Sequence, residues 1–150
     1  KAGISYSRAI AKDYELRLMA DGQLANEPLI PSEKFGLGGR ASIRGFEERQ
    51  FSGDSGLRVS AELWTPLFKS DRSLQGLAFV DWGYRSDKNV AAGNVASDTI
   101  LGVGLGIRWA PHPSASVSLD YATSLDDARI SATQSSVSGS RLHASLTVQF

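Results

Sequence analysis

The chain has 150 residues, with sixteen Lys and Arg balancing sixteen Asp and Glu. That is room for one domain with a full core, and a charge balance unlike that of a basic nucleic-acid or acidic-membrane binder. The absence of cysteine excludes a disulfide scaffold, a thiolate zinc site and a cysteine nucleophile, and two histidines leave little for a histidine-based metal site.

The dominant period is two. Residues before Ile10 read as the end of a strand. In Tyr14–Ala25, Tyr14, Leu16, Leu18, Ala20 and Leu24 alternate with Glu15, Arg17, Asp21 and Gln23. Asn26–Ser55 is a long connection. In Gly56–Pro66, Leu57, Val59, Ala61 and Leu63 alternate with Arg58, Ser60, Glu62 and Trp64. Leu74–Arg85 is mixed: Leu74, Ala78, Val80, Trp82 and Tyr84 share one face, while Leu77 and Phe79 fall with Asp81. Thr99–Ala110 alternates over twelve residues, Leu101, Val103, Leu105, Ile107 and Trp109 against Gly102, Gly104, Gly106 and Arg108. Val117, Leu119, Tyr121 and Leu125 alternate within Ala115–Asp126, and Leu142, Ala144, Leu146, Val148 and Phe150 close the chain in the same manner. This periodicity predicts about seven strands, each apolar on one face, and no helix.

Short connections fall near Ala11–Asp13, Leu67–Ser73 and Pro111–Ser114, and long ones at Asn26–Ser55, Ser86–Asp98 and Asp127–Gly139. Antiparallel order puts all short turns at one end and all long loops at the other, as in an outer-membrane barrel. No run of 18 apolar residues offers a transmembrane helix, but a transmembrane barrel needs only alternation. Alternation alone does not say which face is wet. The small polar-face residues (Gly102, Gly104, Gly106, Ser116, Ser118) suit a crowded lumen. Trp109, Phe150 and Tyr14 towards the short-turn end, and Trp82 and Tyr84 towards the long-loop end, resemble two interfacial girdles. The fold predicted is an all-β antiparallel transmembrane barrel, the apolar face outward. Lys1 is neither an initiator Met nor part of a signal peptide, so the chain reads as a piece of something longer.

Asn26–Ser55 exceeds a passive turn. It carries Leu29, Ile30, Phe35, Leu37, Ile43, Phe46 and Phe51, with glycines at 36, 38, 39 and 45. Apolar anchors of this kind need a wall to fold against. Within Phe35–Pro66, FGLGGRASIRGFEERQFSGDSGLRVSAELWTP, the run Ile43-Arg44-Gly45-Phe46 resembles the VRGF/Y motif shared with BamA, with Ile in place of Val. Gly38-Gly39, Ser52-Gly53-Asp54, Glu62-Leu63-Trp64 and Phe79-x-Asp81 complete an ordered set. It resembles the two-partner secretion transporters (TpsB type), exporters of haemolysin and filamentous haemagglutinin.

The resemblance implies a sixteen-stranded barrel in the bacterial outer membrane, preceded by POTRA domains. Residues 1–150 would be the C-terminal part, with loop 26–55 folded into the lumen. It implies that Arg44 meets Asp81, and with it Glu62, on the inner wall beside Phe79. It also implies an unfolded exoprotein as substrate, and a last strand ending on Phe150 that the barrel-assembly machinery reads. The outer membrane supplies no nucleotide and the chain shows no nucleotide motif, so export would draw on folding of the substrate outside.

Other signals point to no chemistry. Gly53-Asp54-Ser55-Gly56 spells a chymotrypsin-like GDSG, but in that family the base histidine and the orienting aspartate precede the serine, and here His112 and His143 both follow it. The run reads as a turn before a strand. Gly102-x-Gly104-x-Gly106 lies inside a strand, so no helix N-terminus awaits a phosphate, and its glycines make room beside the loop. Glu47-Glu48 and Asp126-Asp127 read as solvated loop charges without calcium-ligand spacing. No catalytic constellation, cofactor or metal site is expected. Two alternatives stand beside the pore: a BamA- or TamA-like assembly factor, which shares the motif, and a soluble barrel binding a small apolar ligand.

Overall fold

The computed structural model describes residues 1–68, 71–90, 95–125 and 139–149. Phe150 and the Asp126-Asp127 pair lie outside the described residues. Seven strands form one antiparallel sheet: β1 (Ala2–Ala11), β2 (Tyr14–Gln23), β5 (Ser55–Phe68), β6 (Asp71–Ser86), β7 (Ser97–His112), β8 (Ala115–Ser124) and β9 (Ser140–Val148). They pair in that order. Between β2 and β5 the long connection contains its own two-stranded ribbon, β3 (Phe35–Leu37) with β4 (Phe51–Gly53). This ribbon was not expected from the sequence. Three residues are too few for a period of two to register.

The apolar face of the sheet is bare. Leu105 is 67% exposed, Leu142 65% and Leu146 69%. With them stand Leu57, Val59, Leu63, Val80, Tyr84, Ile107, Trp109, Val117, Leu119 and Tyr121. A face of this extent on a protein meant for water would be an aggregation site. The polar face is the covered one: Ser60, Glu62, Asp81, Arg85, Ser118 and Asp120 are all buried.

The long loop supplies the cover. Phe35, Leu37, Ile43, Phe46 and Phe51 cluster with Ile100 of β7. Phe46 and Phe51 meet edge to face with centroids 5.7 Å apart. Each side chain so buried contributes roughly 1.5–3 kcal/mol, an upper figure because the unfolded chain already buries some of it. The sheet is shaped for this cover. A Cβ on Gly102 would fall on the Arg44 carbonyl oxygen, so the loop backbone lies directly on the wall there. Gly104 and Gly106 do something else, contrary to expectation. The space of a Cβ is taken at Gly104 by the Tyr121 carbonyl oxygen and the Phe79 ring, and at Gly106 by the Asp120 carboxylate and Leu77, with Phe79 and Leu77 directly opposite on β6. Cross-strand filling of a glycine gap explains why those two apolar side chains occupy the polar face.

Asp54 holds the loop's base. It is 1% exposed, and its carboxylate accepts the Lys88 N–H at 2.7 Å and the Leu29 N–H at 2.9 Å. The Lys34 ammonium, itself on Asp87 at 2.5 Å, stands 3.5 Å away. The GDSG run is therefore more than a turn: it clamps the β2–β3 connection to the β6–β7 connection. The two amides, chiefly that of Lys88, hold the Asp54 carboxyl below its ordinary value of 3.8. A lowered carboxyl stabilises the fold above the unfolded value, and that contribution is lost as pH falls through the lowered one. Protection of the Leu29 and Lys88 amides, taken relative to their intrinsic exchange at each pH, should therefore persist down to pH 3.8 and be lost only below it; in Asp54→Ala it should be low throughout. For Gly102→Ala, the clash with loop backbone should loosen the loop by roughly 1–3 kcal/mol while the sheet still assembles. Protease nicking within 26–55 of the folded barrel measures that.

Candidate functional site: the seat of Arg44

Alternation on β5 puts Ser60 and Glu62 on the covered face, and alternation on β6 puts Phe79 and Asp81 there. Strand register then sets Ser60 opposite Asp81 and Glu62 opposite Phe79. Four neighbouring positions thus make a square of two carboxylates, one hydroxyl and one aromatic ring. Arg44 descends onto it from the loop.

The Arg44 Nε donates to Asp81 Oδ2 at 2.7 Å and its Nη2 to Asp81 Oδ1 at 2.8 Å, a fork-on-fork pair. The Arg44 backbone N–H also donates to Asp81 Oδ2, at 3.1 Å. Ser60 Oγ donates to Asp81 Oδ1 at 2.6 Å. On the other side Arg44 Nη1 meets Glu62 Oε1 at 2.8 Å. The guanidinium carbon lies 3.4 Å from the centroid of the Phe79 ring, a cation–π contact. Arg44 is 5% exposed, Glu62 7% and Asp81 0%. Only arginine has the planar five-donor fork to serve two carboxylates at once, so lysine is no substitute here.

The rest of the motif shapes the descent. Ile43 and Phe46 sink into the loop's apolar cluster on either side of Arg44. Gly45 takes φ 101° and lies against Thr123 and Ser124 of β8, a conformation and a spacing that a side chain would spoil. Ile43, Arg44, Gly45, Phe46, Glu62, Phe79 and Asp81 are thus brought together in one place. Phe150 lies outside the described residues.

Several contacts were not expected from the sequence. Trp64 Nε1 donates to Glu62 Oε2 at 2.8 Å. Arg108 forks onto Asp120 at 2.7 and 2.9 Å. Arg40 reaches Ser118 Oγ from the loop. Asp120 was legible in principle, since Ser118-x-Asp120 repeats the polar-face alternation of its strand. Glu47, expected to be a solvated charge, pairs with Arg141 of β9 at 2.8 Å, although both remain partly exposed and the pair adds little energy. Around the GDSG run, Ser55 Oγ accepts the Ala25 N–H at 3.0 Å, while His112 Nδ1 lies 2.9 Å from Ser114 Oγ at the opposite end of the sheet.

The chain matches a known family. The profile described as haemolysin secretion/activation protein ShlB/FhaC/HecB matches residues 1–109. The heme/hemopexin transporter protein HuxB of Haemophilus influenzae (strain 86-028NP) is 25% identical over 130 residues, which cover 83% of this chain and 23% of HuxB. HuxB of strain Rd of the same species matches to the same extent. Among solved structures, CdiB from Acinetobacter baumannii superposes with a TM-score of 0.74 at 24% identity, over 97% of this chain and 26% of that one. The chain spans about a quarter of the length of these relatives. It belongs to the haemolysin secretion/activation (ShlB/FhaC/HecB) family of two-partner secretion transporters, outer-membrane β-barrels of which this sheet is a part.

Proposed function

We propose that this chain is the C-terminal portion of an outer-membrane pore that passes an unfolded exoprotein to the cell surface, with loop 26–55 docked inside the lumen by Arg44. The observation that carries the proposal is the seat itself: a loop arginine buried against Asp81 and Glu62 on the polar face of the sheet. On this reading the covered face lines the lumen and the bare face meets acyl chains. On the same reading β9 is the strand that the barrel-assembly machinery recognises. A lining of hydroxyls, glycines and neutralised charges gives an extended polypeptide little to adhere to. The loop therefore decides whether the way is open, and Arg44 decides where the loop sits.

Removing one partner of a buried pair leaves the other uncompensated, at roughly 3–5 kcal/mol. In Arg44→Ala that penalty falls on loop docking, because the strand ladders do not involve the side chain. The full-length variant should assemble, seen as a heat-modifiable band on a gel, yet export should fall by about tenfold or more. Normal export by an assembled Arg44→Ala protein would overturn the proposal. The bare face is tested separately. Leu105→Arg should destabilise the bilayer-embedded barrel by roughly 2–4 kcal/mol, measured by denaturant titration in lipid vesicles. A change within about 0.5 kcal/mol, as for an exposed site in water, would argue that this face does not meet lipid.

A further inference from the structure

We infer that Trp64 is a positioning residue for the Arg44 seat, acting through Glu62; the inference rests on the docking role proposed above. Glu62 has two carboxylate oxygens. Oε1 takes Arg44 Nη1 at 2.8 Å, and Oε2 takes the Trp64 indole N–H at 2.8 Å. One oxygen is thus committed to the loop by a donor on the wall that holds the other. Without the indole donor, Oε2 would lose the hydrogen bond that fixes the carboxylate's rotation about its own axis.

Two further guanidiniums stand close by and would compete for it. Arg17 of β2 and Arg108 of β7 both approach the Trp64 ring, their guanidinium carbons 4.0 Å and 5.5 Å from its centroid. Each is retained by its own carboxylate, Arg17 by Glu15 at 2.8 Å and Arg108 by Asp120 at 2.7 Å. Trp64 therefore aims Glu62 at the loop with its N–H and occupies two rival cations with its π face. It also packs on the Leu77, Phe79 and Ala122 cluster, and Phe79 is the ring beneath Arg44. Neutral donors that lack the indole's flat body could supply the hydrogen bond but would not hold the two cations.

The test is a double-mutant cycle in the full-length transporter, reading loop release as single-channel opening events in planar lipid bilayers. Trp64→Phe keeps a ring and deletes the N–H. It should raise opening frequency about tenfold, the worth of one hydrogen bond to a buried carboxylate. Glu62→Ala should raise it at least as much. In the Glu62→Ala background, Trp64→Phe should add nothing. A merely structural Trp64 would instead add its full factor there, and that result overturns the inference. So does an unchanged opening frequency in Trp64→Phe when Arg44→Ala raises it. If Arg44→Ala itself leaves opening and export unchanged, the docking role fails and this inference with it. Should Trp64→Phe not assemble, benzothienylalanine incorporated at position 64 keeps the bicyclic ring and removes only the donor. The same tenfold rise is then required.

Discussion

A buried guanidinium is the constraint from which the site follows. Arg44 does not lose its charge at any pH that a protein meets, so taking it out of water demands fixed anions and a full set of acceptors. Asp81 and Glu62 provide the charge, and Asp81 accepts four hydrogen bonds, two from the guanidinium, one from the Arg44 amide and one from Ser60. Such a pair adds modestly to net stability against an apolar substitute, but it tolerates almost no displacement. The apolar cluster of Ile43, Phe46 and Leu37 would hold the loop against the wall in several registers; the arginine admits one. Burial attaches the loop and charge pairing locates it.

That arrangement requires a sheet turned inside out relative to soluble barrels. The carboxylates must lie on the covered face, and alternation then sends Leu57, Val59 and Leu63 of β5 and Val80 of β6 to the other side. A one-residue slip of β6 against β5 would exchange Asp81 for Val80 in the seat and expose Asp81 to the bare face. Register across β5 and β6 is therefore fixed twice, by the lipid-compatible pattern outside and by the arginine seat inside. The glycines of β7 belong to the same economy of space. Gly102 lets loop backbone touch the wall, while Gly104 and Gly106 admit Phe79 and Leu77, so that β6 keeps its alternation in spite of two apolar residues on the polar side.

How much of this was legible in the sequence depended on the length over which a pattern runs. Of the seven sheet strands, β2, β5, β7, β8 and β9 repeat a period of two and were legible, with the segregation of long and short connections, whereas β6 read as mixed and β1 only as the end of a strand. The parity of Glu62 and Asp81 followed from the same alternation. That Arg44 is their partner came from the resemblance of its motif, since nothing in spacing joins a loop residue to a strand 37 positions on. The ribbon of Phe35–Leu37 with Phe51–Gly53 was too short for any period. Asp54 looked like turn chemistry because its partners are backbone amides, which every residue carries and no sequence advertises. Trp64 stood next to Glu62 in the alternation all along. Its role depends on which way an indole lies, and the ring is flanked by Arg17 and Arg108 from two other strands.

The charges of the covered face show a further regularity. Arg17, Arg44, Arg58, Arg85, Arg108 and Arg141 each contact a carboxylate within 2.8 Å. Fixed charge on a confined wall projects a field that water only partly screens, and a moving polypeptide carries both signs. An unpaired arginine would stop each aspartate that passed, and an unpaired aspartate each lysine. Pairing every one of these guanidiniums in place leaves the wall polar enough to be wet and too nearly neutral to hold a chain of either sign. The same pairing that locates Arg44, repeated around it, would on the proposed function suit this surface to the passage of an unfolded protein.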